Sequence, residues 1–384
     1  MMALEQPTVA ILGGGQLARM LVLAGVPLGA RFRVYDTHAD VCAADVVPVQ
    51  AMAWNDLGAL GDIARRAQVV TFDYENVPAQ TAEWLAKRMR VAPNPRALAT
   101  AQDRLAEKTT FQRIGLPTAE FRTVDTRAEL DAAIAAIDTP AILKTRRMGY
   151  DGHGQFRLRS AADADAAWTA LGEPAAQYGL ILESLVPFDY EVSVIAVRNR
   201  AGEFRPWPLT RNHHVDGILS MSLAPAPCSE AIAHSAFAHA RRLAEELNYV
   251  GVFALELFVV GNKLYGNEMA PRVHNSGHWT QDGAVTSQFE NHVRAVLDLP
   301  LGETDALASS VMFNWVGGLP DKAAFLSVPD THWHDYAKEP RPGRKVGHAN
   351  VRAPDAAALR ERLGLLAKRL DLAEKVAPIL KALD

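Results

Sequence analysis

The sequence predicts an α/β amino-terminal region that runs into a larger α+β region, and three observations carry this. The chain has 384 residues, more than one ordinary core holds and enough for two or three domains. Residues 1–90 alternate strand and helix patterns, which implies βαβ units and a parallel sheet with sites at the carboxyl ends of its strands. From residue 141 to residue 260 the texture changes to apolar strand runs bounded by Gly or Pro, with few long helices between them.

Composition narrows the class. The chain is 49% hydrophobic and 22% charged, the balance of a globular protein rather than a disordered or fibrous one. A formal net charge of −4 offers no basic field to nucleic acid or to an anionic membrane. Its 2 cysteines, Cys42 and Cys228, lie far apart, which excludes a disulfide scaffold and a cysteine-built zinc site and fits a reducing cytosol. The opening MMALEQPT shows no basic stretch followed by an apolar one, and the most apolar later segment, 249–260, is short and interrupted by Glu256. The expectation is a cytoplasmic enzyme.

Element by element, Thr8 to Leu12 reads as a strand ending in Gly13-Gly14-Gly15, after which Leu17, Met20, Leu21 and Ala24 recur at helical spacing. Pro27 and Gly29 stop that helix, and Phe32 to Tyr35 forms a second strand ending at Asp36. Val69 to Phe72 is a buried strand leading into Asp73, Tyr74, Glu75 and Asn76. Pro93 and Pro95 suit a linker, and a helix follows from about Gln102 to Ile114. Strands are expected at 141–144, 179–183, 192–197 and 252–259, and an amphipathic helix at 356–372.

Five constellations could carry chemistry. Gly13-x-Gly15-x-x-Ala18 with Asp36 is the turn of a dinucleotide fingerprint, and equally of a turn for a small phosphorylated ligand. Lys144, delivered by a strand, is followed by a loop with glycines at 149, 152 and 154, a spacing that can fold amides over phosphate or form a plain hairpin. Glu256 and Glu268 lie on apolar strands joined by a Gly261-Asn262 turn. A shared face would suit Mg²⁺, or Mn²⁺, while structural pairing with Arg or Lys is the alternative. Arg272, His274, Asn275, Ser276 and His278 cluster donors suited to a small oxyanion. Arg341-Pro-Gly-Arg344-Lys345 is a basic turn stiffened by Pro and Gly, a phosphate grip or a solvated surface.

Together these residues resemble the ATP-grasp superfamily and, within it, the N5-carboxyaminoimidazole ribonucleotide synthetases, ATP-dependent carboxylases of purine synthesis. The likeness rests on GGGQLARM from Gly13, GYDGHGQ from Gly149, LTRNHHVDGI from Leu209, NEMAPRVHNSGHWTQDGA from Asn267 and RPGRKVGHAN from Arg341. It implies a Rossmann-like preATP-grasp domain at 1–95, an ATP-grasp domain at 96–300 with its lid at about 141–186, and a small carboxyl-terminal domain at 301–384. Arg104 and Lys144 would touch the phosphates of ATP, with Gly149, Tyr150, Asp151, Gly152, His153, Gly154 and Gln155 as lid. Glu183, Ser184, Leu185 and Val186 would meet adenine, Glu191 the ribose, and His214 the nucleotide. Glu256 and Glu268, with Asn267 beside them, would hold Mg²⁺. Arg272, His274 and Asn275 would face bicarbonate. The amine acceptor, 5-aminoimidazole ribonucleotide, would meet Gln16, Leu17, Glu75, Tyr150, Asp151, Arg272, Ser276, Arg344 and Lys345. A homodimer is implied as well. The chain departs from the family's pattern at Arg211, where His is expected, and at His153, where Arg is common. A nicotinamide oxidoreductase is the rival supported by the glycine turn and Asp36; a non-catalytic metabolite sensor is another, and it predicts a lost metal carboxylate.

Overall fold

The computed structural model describes residues 7–149 and 153–384, so Tyr150, Asp151 and Gly152 of the expected lid lie outside the described residues. Five strands, β1 (Thr8–Leu12), β2 (Arg31–Asp36), β3 (Val49–Ala51), β4 (Val69–Phe72) and β5 (Arg90–Val91), form a parallel sheet in the order β3-β2-β1-β4-β5. Its central strands are apolar along their length because both faces are covered. Ala10 and Leu12 join Leu60, Ile63 and Leu85 on one side. Val9 and Ile11 join Ile195, Val252 and Phe289 on the other, so this sheet shares a core with the next layer.

The remaining strands make two further sheets. β6 (Phe121–Val124), β7 (Ala141–Thr145), β8 (Gln155–Leu158) and β9 (Leu180–Ser184) pair in the order β6-β9-β7-β8 over their own core of Val124, Leu143, Leu158 and Leu182. β10 (Tyr190–Arg198), β11 (Phe204–Pro206), β12 (Thr210–Val215), β13 (Ile218–Ala224), β14 (Gly251–Val260), β15 (Lys263–Ala270), β16 (Ser309–Val316), β17 (Thr331–Asp335) and β18 (Lys345–Ala353) form an antiparallel sheet ordered β15-β14-β10-β12-β13-β16-β18-β17, with β11 beside β10. The carboxyl-terminal strands therefore extend the sheet of the central region. What sets that segment apart is a separate core, Phe313, Trp315, Phe325, Leu359 and Leu363.

Three expectations need correction. The Pro93–Pro95 stretch holds a helix, Pro95–Ala101, because Asn94 caps it and Pro95 sits where a missing N–H costs nothing. The following helix spans Arg104–Arg113 and starts later than expected, with Asp103 capping the Leu105 N–H. The central region also contains two long helices, Ala164–Tyr178 and Glu230–Glu246; alanine-rich sequence favours them, and Ser229 caps the second. No helix among the described residues is long and apolar enough to cross a membrane.

The helix Arg104–Arg113 docks on β15 through Gly266. A Cβ there would stand 2.7 Å from Phe111 and 2.9 Å from Leu116, so only hydrogen fits. Gly266→Ala is expected to destabilise the protein by about 1–3 kcal/mol, read by denaturant unfolding; an unchanged midpoint would show that the contact yields freely.

Candidate active site

The centre of the site is a pair of opposed carboxylates. β14 and β15 pair antiparallel from Val260↔Lys263 to Leu257↔Gly266, and then the register shifts so that Glu256 faces Glu268. Without that extra residue Glu256 would face Asn267, and Glu268 would point to the other side of the sheet. Burial first, and then the charge of Glu268, push the Glu256 carboxyl up to about 8. His274 lies close by, with its Nε2 3.3 Å from Glu256 Oε1, and Arg104 reaches Glu268 at 3.4 Å. A buried carboxyl opposed to a half-exposed one favours a cation between them, since a cation lets both ionise, and their oxygen donors fit a hard divalent ion such as Mg²⁺.

A second group surrounds Lys144. Its strand β7 pairs with β8 so that Lys144 faces Gln155, and the Gly154 carbonyl accepts from the Thr145 N–H at 2.8 Å, which closes the base of the glycine loop. Asp103 clamps that base: Arg146 Nη2 approaches it at 2.8 Å and Arg147 Nε at 3.1 Å. Lys144 Nζ stands 2.9 Å from Glu183 Oε2, and the fully buried Lys108 Nζ reaches the same oxygen at 3.3 Å. Burial alone would raise Glu183, but Lys144 and Lys108 outweigh it and hold the carboxyl down at about 2. Glu183 and Ser184 end β9, and Leu185 and Val186 then lead into the large sheet. Ser184 bonds to Glu120 through its backbone N–H and its hydroxyl, and Leu185 donates to the Pro140 carbonyl. On that sheet Glu191 contacts His214 Nδ1 across β10 and β12.

Facing these from the amino-terminal sheet is the loop after β4. Glu75 Oε2 pairs with Arg272 Nη2 at 2.8 Å. Asp73 lies behind it, accepting from the Gly15 N–H and the Ala18 N–H at 2.8 Å each, while Asp36 accepts from Gly14 at 2.7 Å. The chain's own carboxylates thus take three N–H groups at this turn, those of Gly14, Gly15 and Ala18. Asp36 is thereby engaged within the turn, which counts against its ribose role in the dinucleotide reading. Gln16 accepts from Lys338 Nζ at 2.5 Å, whereas the side chain of Leu17 packs into the shared core and leaves only its backbone to the site. Arg344 donates to the Glu339 carbonyl, and Lys345 opens β18, its charge acting on Glu256 and His274.

The segment after β15 completes the arrangement. Burial, then Arg272, hold His274 well below its ordinary pKa, which leaves a neutral imidazole. Its Nδ1 stands 2.9 Å from Ser276 Oγ, which accepts from Ser193 Oγ at 2.7 Å. Asn275 is different: both polar atoms of its amide are buried and unpartnered, and an unpaired buried amide is costly unless a ligand meets it. Sequence reasoning brought Lys144, Glu256, Glu268, Arg272 and His274 into one cleft but missed Glu107, Lys108, Asp73 and Asp103. The spacing Arg104, Glu107, Lys108 places three charges on one helix face, a signal that was present.

Because Glu183 titrates near 2 in the fold against 4.5 ordinarily, its contribution is complete above pH 4.5 and is lost as pH falls toward 2. Glu183→Gln is therefore expected to be less stable than the parent at pH 7, with the gap narrowing by about pH 3 in urea titrations; a constant gap would contradict the pairing.

Three family descriptions cover the chain. The ribonucleotide synthetase preATP-grasp domain matches residues 6–102, the ATP-grasp domain residues 109–289, and the phosphoribosylaminoimidazole carboxylase C-terminal domain residues 310–362. The N5-carboxyaminoimidazole ribonucleotide synthase of Pseudomonas aeruginosa is 46% identical over 356 residues, 92% of this chain and 97% of that protein. The crystal structure of N5-carboxyaminoimidazole ribonucleotide synthetase from Thermus thermophilus superposes with a TM-score of 0.89 at 50% identity, covering 94% of this chain and 98% of that one. The Aspergillus clavatus enzyme, crystallised with ADP and 5-aminoimidazole ribonucleotide, gives 0.86 at 31% identity over 96% of this chain and 99% of that one. The ring of carboxylates and cations described above sits in a chain that belongs to the N5-carboxyaminoimidazole ribonucleotide synthase family.

Proposed function

We propose that this enzyme carboxylates 5-aminoimidazole ribonucleotide with bicarbonate at the expense of ATP, giving N5-carboxyaminoimidazole ribonucleotide, ADP and phosphate in purine biosynthesis. The observation that carries the reading is the direct opposition of Glu256 and Glu268, with Arg104 at Glu268 and His274 at Glu256. A divalent cation held by the two glutamates neutralises polyphosphate charge when bound.

The protein's own groups divide the remaining work. Lys144 and Arg104 face the phosphates, offsetting the charge that builds on the transferring phosphoryl group. An oxygen of bicarbonate attacks the γ-phosphorus, ADP leaves, and carboxyphosphate forms. Arg272, the neutral His274 and the Asn275 amide hold that anion; the unsatisfied amide of Asn275 supports this placement. The exocyclic amine then captures the carbon, directly or through released CO₂, and phosphate departs as the amine loses its proton. Glu183, Ser184, Leu185 and Val186 border adenine, Glu191 and His214 the ribose side, and Gly149, His153, Gly154 and Gln155 belong to the lid. Gln16, Leu17, Glu75, Ser276, Arg344 and Lys345 surround the acceptor, with Lys345 and Arg344 as phosphate anchors. The boundaries at 95 and 300, the homodimer and a cytoplasmic location belong to the same reading.

ADP release in bicarbonate is expected to depend on 5-aminoimidazole ribonucleotide; equal release without that acceptor would overturn the assignment. Glu268→Gln should abolish ADP formation while circular dichroism stays close to the parent's, since a metal ligand is lost and shape is kept; retained turnover at ordinary Mg²⁺ would remove Glu268 from the metal. Lys345→Ala should raise KM for the acceptor about tenfold while KM for ATP moves little. An equal rise in both would take Lys345 out of the acceptor pocket.

A further inference from the structure

The helix Arg104–Arg113 turns two buried charged side chains, Glu107 and Lys108, toward β15. β15 is an edge strand, so its outward N–H and C=O groups take partners from outside the sheet; the Gly266 N–H donates to the Pro117 carbonyl at 2.7 Å. Glu107 Oε1 accepts from the Met269 N–H at 2.6 Å, and Lys108 Nζ donates to the Asn267 carbonyl at 3.0 Å. These are the backbone groups on either side of Glu268. The same Lys108 ammonium lies 3.3 Å from Glu183 Oε2, the oxygen that Lys144 meets at 2.9 Å.

One buried carboxylate therefore answers two ammonium groups carried by different elements. An ammonium has three N–H donors and no acceptor. If Lys144 were the sole counter-charge of Glu183, the low-dielectric surroundings would bind the two tightly and leave less of Lys144 for another anion. A second cation on the same oxygen divides that attraction.

We propose that Lys108 is a positioning residue for the nucleotide site: it shares Glu183 so that Lys144 keeps donors free for phosphate, and its bond to Asn267 holds Glu268 in place opposite Glu256. The proposal rests on the assignment of Lys144 to the phosphates made above.

The test uses the full-length enzyme with Lys108→Met, Glu183→Gln and the double variant, measuring KM for ATP at saturating Mg²⁺, KM for 5-aminoimidazole ribonucleotide, and Tm. Lys108→Met should raise KM for ATP about tenfold and leave KM for the acceptor within about twofold. In the Glu183→Gln background the same substitution should change KM for ATP by less than about threefold, because no carboxylate remains to hold Lys144. An unchanged KM for ATP in Lys108→Met, or the same rise in both backgrounds, overturns the proposal. So does a uniform loss in both substrates that tracks Tm, which is what a purely structural lysine would give. Lys108→Gln, which keeps a donor for Asn267 without the charge, supplies the same comparison if the methionine variant does not fold. Lys144→Met examines the underlying assignment separately: ATP binding equal to the parent's would sink that reading, whereas the Lys108 comparisons bear on the sharing alone.

Discussion

Two carboxylates facing each other across one strand pair set the electrostatic demand that the rest of the cleft answers. Glu256 sits on a strand that is otherwise apolar, and burial, with the charge of Glu268 opposite, makes it costly to ionise. Arg104 on Glu268, and the charges of His214 and Lys345 on Glu256, relieve part of this demand. The remainder suits a cation and the anionic substrate that accompanies it. Their placement follows from strand register, so the demand is built into the sheet itself.

The charged groups come from separate elements, and their convergence depends on how the layers share cores. The helix Arg104–Arg113 packs Phe111 into the core beneath β10, β14 and β15, which brings Arg104, Glu107 and Lys108 to β15. The small four-stranded sheet delivers Lys144 from its own core. The amino-terminal sheet shares Val9 and Ile11 with the large sheet, and a Thr71–His292 hydrogen bond of 2.7 Å joins the same layers. That docking brings Glu75 to Arg272. Domains built this way cannot reposition freely without disturbing a common core.

Much of the architecture was legible in the chain. Apolar runs at 8–12 and 69–72 became strands with those bounds, and the Gly261-Asn262 turn became the β14–β15 hairpin. The two long helices were less legible, because alanine fills much of their buried faces and gives a weak apolar signal even where, as at Ile232, Ala236, Ala240 and Leu243, the spacing is helical. The glycine turn misled for a different reason. Its spacing is that of an anion site, yet Asp73, 58 residues from Gly15, fills it with the chain's own charge.

By itself, the sequence determined which residue types could carry the chemistry and on which strands they lie: paired glutamates flanking a tight turn, a lysine ahead of a glycine-rich loop, a basic turn near the carboxyl terminus. These are local patterns, set by spacing and propensity. Tertiary structure decided what they face. One register shift places Glu268 rather than Asn267 opposite Glu256, and the packing of a helix against an edge strand makes Lys108 share a carboxylate with Lys144. Such relations join positions far apart in the chain, and only the balance of packing and burial across layers selects among the arrangements that local patterns permit.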